Sequence, residues 1–430
     1  MGVHNLVSLL GVFLLMGVAW ALSTDRRRVN IRCVGVGLAL QLAVGLLVFA
    51  TPGSAKLFLR LNDAVVALMD AATAGQKFVF GNLATPPGRT GSDGLASPGF
   101  ILATQALPLM VFFSALMGLL YYVGVMQRVI RGFAWVFTRL MRVSGAESLC
   151  VAAEIFVGIE SSTAVRPYLA QMTRSEFCTI LTAGMATVAS TTMGLYVVFL
   201  KDVIPTIAGH LISASLIAAP AAIIMSKLLV PETGEPVTLG RVVAFEYERE
   251  GSAIEAIING AMAGVRLVVG VCALLIAFLG MLALLDAGLG WTGVRLGLIE
   301  AGQVQSPLSA LLGWVMAPFA LAMGVPPDDA LFAGRLLGIR LIATEIPAYT
   351  QLAEAMKQGT IVHARSGVIC AYALCGFAHV ASLAIFTGGV AALVPQRRAD
   401  LARIAPRALL AATLACLMTG AIAGVFCTAM

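Results

Sequence analysis

The sequence predicts an all-α polytopic membrane protein of eight transmembrane helices plus two re-entrant hairpins, arranged as an inverted repeat. Three observations carry that prediction: a shortage of charge, apolar runs of spanning length, and a heptapeptide that recurs beside two carboxylate-bearing segments. Apolar residues make up 59% of the chain and charged residues only 12%, and the mean hydropathy is +0.94. A soluble domain carries about a quarter of its residues as charges, so this chain is built for lipid. Runs free of Asp, Glu, Lys and Arg cover 1–24, 33–55, 94–127, 177–200, 203–226, 267–285, 366–396 and 408–430. About 20 mostly apolar residues cross the hydrocarbon layer. With no water there, the backbone must satisfy its own hydrogen bonds, so the spans are helices.

Residues 1–24 lack the basic start and small-residue cleavage site of a signal peptide, and read as the first span. Arg26, Arg27, Arg28 and Arg32 follow it, Arg128, Arg131, Arg139 and Arg142 follow the third span, and Arg397 and Arg398 precede the last. The positive-inside rule puts those loops in the cytoplasm and the N-terminus outside. The net charge of +6 is therefore a topology signal and not a nucleic-acid footprint. Residues 51–98, rich in Gly, Pro, Ser and Thr towards their end, read as an external loop with a short helix. In 127–141, Val129, Phe133, Val136, Phe137 and Leu140 recur at helical spacing opposite the arginines, which suits a helix in the interface plane. The domain organisation expected is 1–98, N-terminal spans and loop; 99–230, first repeat; 231–256, a cytoplasmic loop of mixed charge; and 257–430, second repeat. The eight cysteines lie in or beside apolar segments without metal-ligand spacing and read as small packing residues.

The repeat is the most informative feature. Gly184-Met185-Ala186-Thr187-Val188-Ala189-Ser190 and Gly376-Phe377-Ala378-His379-Val380-Ala381-Ser382 share five of seven residues. Before each lies a segment too polar to face lipid, 147–174 with Glu160 and 328–357 with Glu345, and after each comes another span. An odd number of crossings separates the units, so they start on opposite sides of the membrane. Inverted repeats with broken helices meeting at mid-membrane are a transporter architecture. A charge in hydrocarbon is costly and usually faces a cavity. Glu160, Glu345, Glu154 and His379 are candidates for a site, whereas Arg166, Arg335 and Arg340 read as structural ion pairs or snorkelling side chains. His379 is equally readable as a packing residue. No G-x-S-x-G, HExxH, paired CxxC or Walker loop is present, so the chain is expected to be no enzyme, to need no cofactor and to work on ion gradients.

Several motifs resemble the concentrative nucleoside transporter family. They include Phe78-Val79-Phe80-Gly81-Asn82-Leu83, Ser144-Gly145-Ala146-Glu147-Ser148, Arg166-Pro167-Tyr168-Leu169 and His210-Leu211-Ile212-Ser213-Ala214-Ser215. Further on come Ala219-Pro220-Ala221-Ala222, Ser226-Lys227-Leu228-Leu229-Val230-Pro231-Glu232-Thr233, Ala373-Leu374-Cys375-Gly376-Phe377-Ala378 and Arg397-Arg398-Ala399-Asp400. They run in the family's order from about residue 70 to the end, and the length is similar to that of a bacterial member with eight spans. The resemblance implies a homotrimer in the bacterial inner membrane that imports nucleosides with Na⁺ or H⁺. It implies an outer scaffold from the first spans and interfacial helix, and a transport domain moving in an elevator-like step. That domain would carry hairpins at 147–174 and 328–357 and unwound helices around 187–190 and 377–382. By the same resemblance Glu345, His379 and Ser382 fall where ribose hydroxyls bind, Phe377 lines the pocket, and Gly158, Ile159, Glu160 and Thr344 complete the hairpin tips. Sodium positions fall on Glu154, Val157, Thr187 and Val188.

Three departures carry consequences. The first hairpin tip reads Gly158-Ile159-Glu160 where the family has Gly-Gln-Thr-Glu, so an amide and a hydroxyl that read the base are replaced by Ile159. His379 and Thr344 stand where the family has Asn. Glu154 replaces the Asn that ligates sodium, so this position either holds Na⁺ through a full carboxylate or exchanges a proton in its place, and the departure points towards the proton. Ile159 leaves open a different small polar metabolite as the solute. A non-transporting membrane scaffold or receptor with the same repeat would tolerate loss of Glu345.

Overall fold

The computed structural model describes residues 2–49, 52–91, 94–243, 250–297 and 306–427. Side chains of 52–58, 61, 159 and 160 lie outside the described set. The described residues form helices and connecting loops, with no strand. In chain order the helices are α1 (Val3–Ala21), α2 (Ile31–Phe49), α3 (Pro52–Phe80), α4 (Leu102–Gln105), α5 (Pro108–Val123), α6 (Val125–Val136), α7 (Gly145–Glu154), α8 (Arg166–Leu169) and α9 (Arg174–Ala186). The second half continues with α10 (Ser190–Leu200), α11 (Ile207–Leu229), α12 (Ala253–Arg295), α13 (Pro307–Ala322), α14 (Pro327–Ile342), α15 (Glu345–Gln358), α16 (Ala364–Ala373), α17 (Val380–Leu393) and α18 (Arg398–Phe426).

Among the described residues seven helical segments are long and apolar enough to cross a membrane. The charge-free run 366–396 is split between α16 and α17, and 177–200 between α9 and α10, so both expected unwound regions are present as helix breaks. The hairpin segments fold as expected in outline. In the second, α14 and α15 meet at Ala343 and Thr344; in the first, α7 leads into a 3₁₀ stretch, Gly158–Val165, and then α8. In that arm Ser161 turns its hydroxyl onto the Glu154 carboxylate.

Elsewhere the structure corrects the sequence reading. The segment after α2 is a 29-residue helix, α3, and not a loop with a short helix. Gly, Pro, Ser and Thr concentrate only after residue 84, while 53–80 has no proline to stop a helix. In α6 and the turn after it the buried stripe is Met126, Ile130, Ala134, Phe137 and Met141. Val129 and Leu140, on the apolar side read from the sequence, are exposed in the chain, whereas Phe137 of the same side is buried. The loop expected over 231–256 ends earlier, since Ser252 caps α12 by accepting from Glu255 N at 3.1 Å. α13 adds a 16-residue apolar helix to the expected set, below spanning length.

Packing divides the helices. α1 lies along α18, and α2 along α11, so the first spans, expected in an outer scaffold, sit against the hairpin-bearing core. Small residues set this closeness: Gly37 faces Ile224 and Met141, and Gly45 faces Phe426. α5 and α12 pack chiefly on each other, with Gly118 against Ala256 and Gly260 against Ser114.

Two buried polar clusters hold the core. Lys227 in α11 pairs with Glu147 in α7 at 2.9 Å and donates to Ser175 Oγ at 3.0 Å. Arg365, just 6% exposed, donates to the carbonyls of Gly324, His4, Gly424 and Cys427 and to Ser8 Oγ. It therefore ties α1 and α16 to the C-terminal ends of α13 and α18, where carbonyls lack helical partners and carry partial negative charge. Arg365→Leu should strand these acceptors at a cost on the order of 3 kcal/mol. We expect a clear fall in the thermal midpoint of the detergent-solubilised protein, with Arg365→Lys in between.

Candidate functional site

The two helix breaks and the two hairpin tips converge. Gly376, in the second break, backs onto Ala186 at the end of α9 so closely that a Cβ there would stand 2.5 Å from the Ala186 carbonyl oxygen. Around this junction opens a cavity of about 390 Å³, lined on one side by Val157, Gly158, Ser161, Thr344, Glu345, Phe377, His379 and Ser382. Its opposite wall is mostly apolar and comes from α5 and α12, including Met110, Met117, Leu267 and Val271. The cavity extends to Glu250 and Ala256, beside the loop that the sequence places in the cytoplasm.

Glu345 is the first residue of α15 and is buried. Its Oε1 accepts from Tyr196 OH of α10 at 2.8 Å, and its Oε2 lies 3.2 Å from His379 Nε2. Tyr196 is held in turn by stacking on Tyr349, with ring centroids 4.5 Å apart, and Tyr349 OH donates to Ala371 O at 2.7 Å. His379 is the N-cap of α17: its Nδ1 accepts from Ser382 N at 3.2 Å. An acceptor Nδ1 places the imidazole proton on Nε2, where it faces Glu345 and, at 2.7 Å, Ser382 Oγ. One helix start therefore fixes the orientation and tautomer of His379. Thr344 caps the start of α15 in extended backbone, and its buried Oγ1 has no partner among the described residues. Gly158 adopts φ +74° at the first hairpin tip, a left-handed conformation that suits glycine and turns the chain towards the cavity.

The second constellation sits behind the first hairpin. Glu154 ends α7, fully buried; Ser161 Oγ donates to its carboxylate, and Thr187 Oγ1 donates to its backbone carbonyl at 3.2 Å. Val188, next to Thr187, offers its carbonyl to Ser215 Oγ at 3.2 Å, which leaves a lone pair for another ligand. Val157 lies on the cavity wall between the two constellations.

Of the residues singled out from the sequence, Gly158, Thr344, Glu345, Phe377, His379 and Ser382 share one cavity, and Glu154 and Thr187 meet beside it. The side chains of Ile159 and Glu160 lie outside the described residues. Arg166 and Arg335 are exposed, as snorkelling side chains would be, whereas Arg340 is buried against a backbone carbonyl. Tyr196 was not readable as part of the site, because an isolated Tyr in an apolar run carries no signal. Lys227 was quoted only within a motif.

A bundle of membrane-length helices in which paired hairpins and interrupted helices bring a few polar groups to one wall of a largely apolar cavity has the architecture of a secondary transporter. Family models for the Na⁺ dependent nucleoside transporter N-terminus, for nucleoside recognition (a gate) and for the Na⁺ dependent nucleoside transporter C-terminus match residues 10–83, 103–203 and 210–424. An uncharacterized transporter of Haemophilus influenzae is 35% identical over 98% of this chain and 97% of its own length. The sodium/nucleoside cotransporter 1 of Mus musculus is 35% identical over 98% of this chain, which spans 64% of that longer protein. The structure of CNTnw in an inward-facing substrate-bound state superposes with a TM-score of 0.87 at 34% identity and 98% coverage of both chains. The chain belongs to the concentrative, Na⁺-dependent nucleoside transporter family, whose members are multi-pass membrane transporters and not enzymes.

Proposed function

We propose that the protein is a cation-coupled nucleoside symporter that imports its substrate across the bacterial inner membrane by an elevator-type movement. The observation that carries this reading is the Glu345–His379–Ser382 cluster, seated where both broken helices and the second hairpin tip face one cavity. A carboxylate accepts strong hydrogen bonds from vicinal hydroxyls, so Glu345 takes the ribose. His379 and Ser382 add a donor and a hydroxyl beside it, and Thr344 Oγ1 is a further polar group on the wall. Phe377 offers a flat apolar surface to the base, with Gly158, Ile159 and Glu160 at the opposite tip.

The coupling cation, Na⁺ or H⁺, binds at Glu154 with Thr187 and the carbonyls of Val157 and Val188. Thr187 joins the first hairpin to the first helix break, so a cation there stabilises the hairpin that closes on substrate. That is differential binding to one state. Extension of the cavity to Glu250 supports an inward-open form. The α5–α12 pair is the natural wall for the hairpin-bearing part to slide against, and the exposed apolar faces of α12 suit a homotrimer interface.

The test is uptake of labelled uridine and adenosine into proteoliposomes with Na⁺ and H⁺ gradients imposed separately, followed by competition with a panel of unlabelled nucleosides. Accumulation under one gradient is the expected result and identifies the ion. Ile159 at the tip motivates a second reading, the same symporter acting on another small polar metabolite. Failure of every nucleoside to be taken up or to bind would select it.

A further inference from the structure

Each half places a charged residue of its hairpin helix beside the end of the helix that leads into the break, and the two charges are opposite. In the first, the last residue of α7 is Glu154, whose carbonyl accepts from Thr187, the first residue past the end of α9. In the second, Arg340 stands in the last turn of α14, and its Nη1 donates at 2.7 Å to the carbonyl of Ala373, the last residue of α16. In both halves the inner helix of the hairpin ends against the break of the helix pair that follows. Arg340 is 1% exposed and no carboxylate lies within ion-pair distance of it among the described residues; its Nε also lacks a partner there.

We propose that Arg340 is a tethered cation, filling in the second half the electrostatic place that the mobile coupling cation fills in the first. A helix C-terminus carries a partial negative charge from its unpaired carbonyls. The ends of α9 and α16 each present such a charge at the centre of the protein. At α9 the carboxylate of Glu154 adds to it, and the sum attracts a cation from solution. At α16 a guanidinium already answers it, so no ion is required. A buried charge without an ion-pair partner is expensive, and the helix end is what offsets this one. Arg340 is not among the residues that line the cavity and is a positioning residue: its bond to Ala373 holds the second break in shape whether or not substrate is bound. The inverted repeat thereby acquires one exchangeable cation site in place of two.

This inference rests on the ion assignment made above for Glu154, so the test is built to separate the two and needs no substrate. Thermal stability of the detergent-solubilised protein is titrated with Na⁺ at fixed pH, and separately with pH, for the wild type, Arg340→Gln and Arg340→Lys. Glutamine can still donate to Ala373 but brings no charge; lysine keeps the charge and loses the fork. The wild type and Arg340→Lys are expected to show one saturable stabilisation. Arg340→Gln should start less stable and be rescued by cation with a steeper response, its Hill coefficient rising from about one towards two, the number of sites then available. The proposal is overturned if Arg340→Gln titrates like the wild type, or if Arg340→Lys is as damaged as Arg340→Gln with no change in cation response. If Arg340→Gln yields no folded protein, Arg340→Lys decides: wild-type response supports a charge requirement, and failure to fold overturns it. Loss of nucleoside uptake by the wild type would sink the transport reading alone and leave these titrations interpretable.

Discussion

Glu345→Gln should lower nucleoside uptake about 10²–10³-fold, and Glu345→Ala should bring it to background. The carboxylate is buried, accepts from Tyr196 OH at 2.8 Å and faces His379 Nε2 at 3.2 Å. In the proposed complex it also accepts from two hydroxyls of the sugar. A hydrogen bond to a charged acceptor contributes roughly 1.5–3 kcal/mol, and every 1.4 kcal/mol is about tenfold in affinity. Weakening two of them together gives the range stated. Glutamine preserves shape, but its NH₂ group turns one acceptor into a donor aimed at either Tyr196 OH or the His379 proton. Tyr196→Phe removes only the supporting bond and should cost about tenfold or less. Initial rates in proteoliposomes check both, with fluorescence-detected size exclusion to confirm assembly. Near-normal uptake by Glu345→Gln would remove the ribose assignment.

The second large effect is expected at Glu154. Glu154→Gln keeps a group that can accept from Ser161 Oγ, which donates to the carboxylate. It removes the negative charge that attracts a cation to the end of α9. If a proton is the coupling ion, Glu154→Gln should abolish accumulation against a gradient, since amide nitrogen does not titrate in this range. Exchange of labelled for unlabelled substrate should persist, and its pH dependence should flatten. If Na⁺ is the ion, the variant should still accumulate substrate but with a Na⁺ requirement raised about tenfold or more, for loss of a charged ligand. Unchanged uptake with unchanged pH and Na⁺ dependence would place the ion elsewhere.

Much of this site was legible because helix breaks announce themselves. Thr187–Ala189 and Phe377–His379 sit in runs otherwise apolar enough to span, so a hydroxyl or an imidazole there stands out, and the repeated heptapeptide marks both places. Glu345 was visible as a carboxylate near the middle of a segment too polar to face lipid and placed before the second heptapeptide. The repeat joined the two. What escaped notice depended on contacts between remote positions. Tyr196 meets Glu345 across 149 residues. Arg365 reads as a loop arginine beside a span, and only the fold brings the ends of α13 and α18 to it. Ser161 likewise reaches the Glu154 carboxylate only through the irregular fold of the first hairpin.

The length of α12 has a consequence beyond packing. At 43 residues it measures about 65 Å, more than twice the ~30 Å of hydrocarbon it has to cross. Its apolar residues are turned outward along most of that distance, with Ile254 70%, Ile276 77% and Leu284 74% exposed within the single chain. A helix this long can stay in register with the bilayer only by lying steeply oblique, by drawing the lipids into a thicker collar, or by burying part of itself against neighbours. Each of these responds to the composition and thickness of the membrane. If the hairpin-bearing part moves against α12 as proposed, that wall is set partly by lipid, and the height of its barrier becomes a property of protein and membrane together.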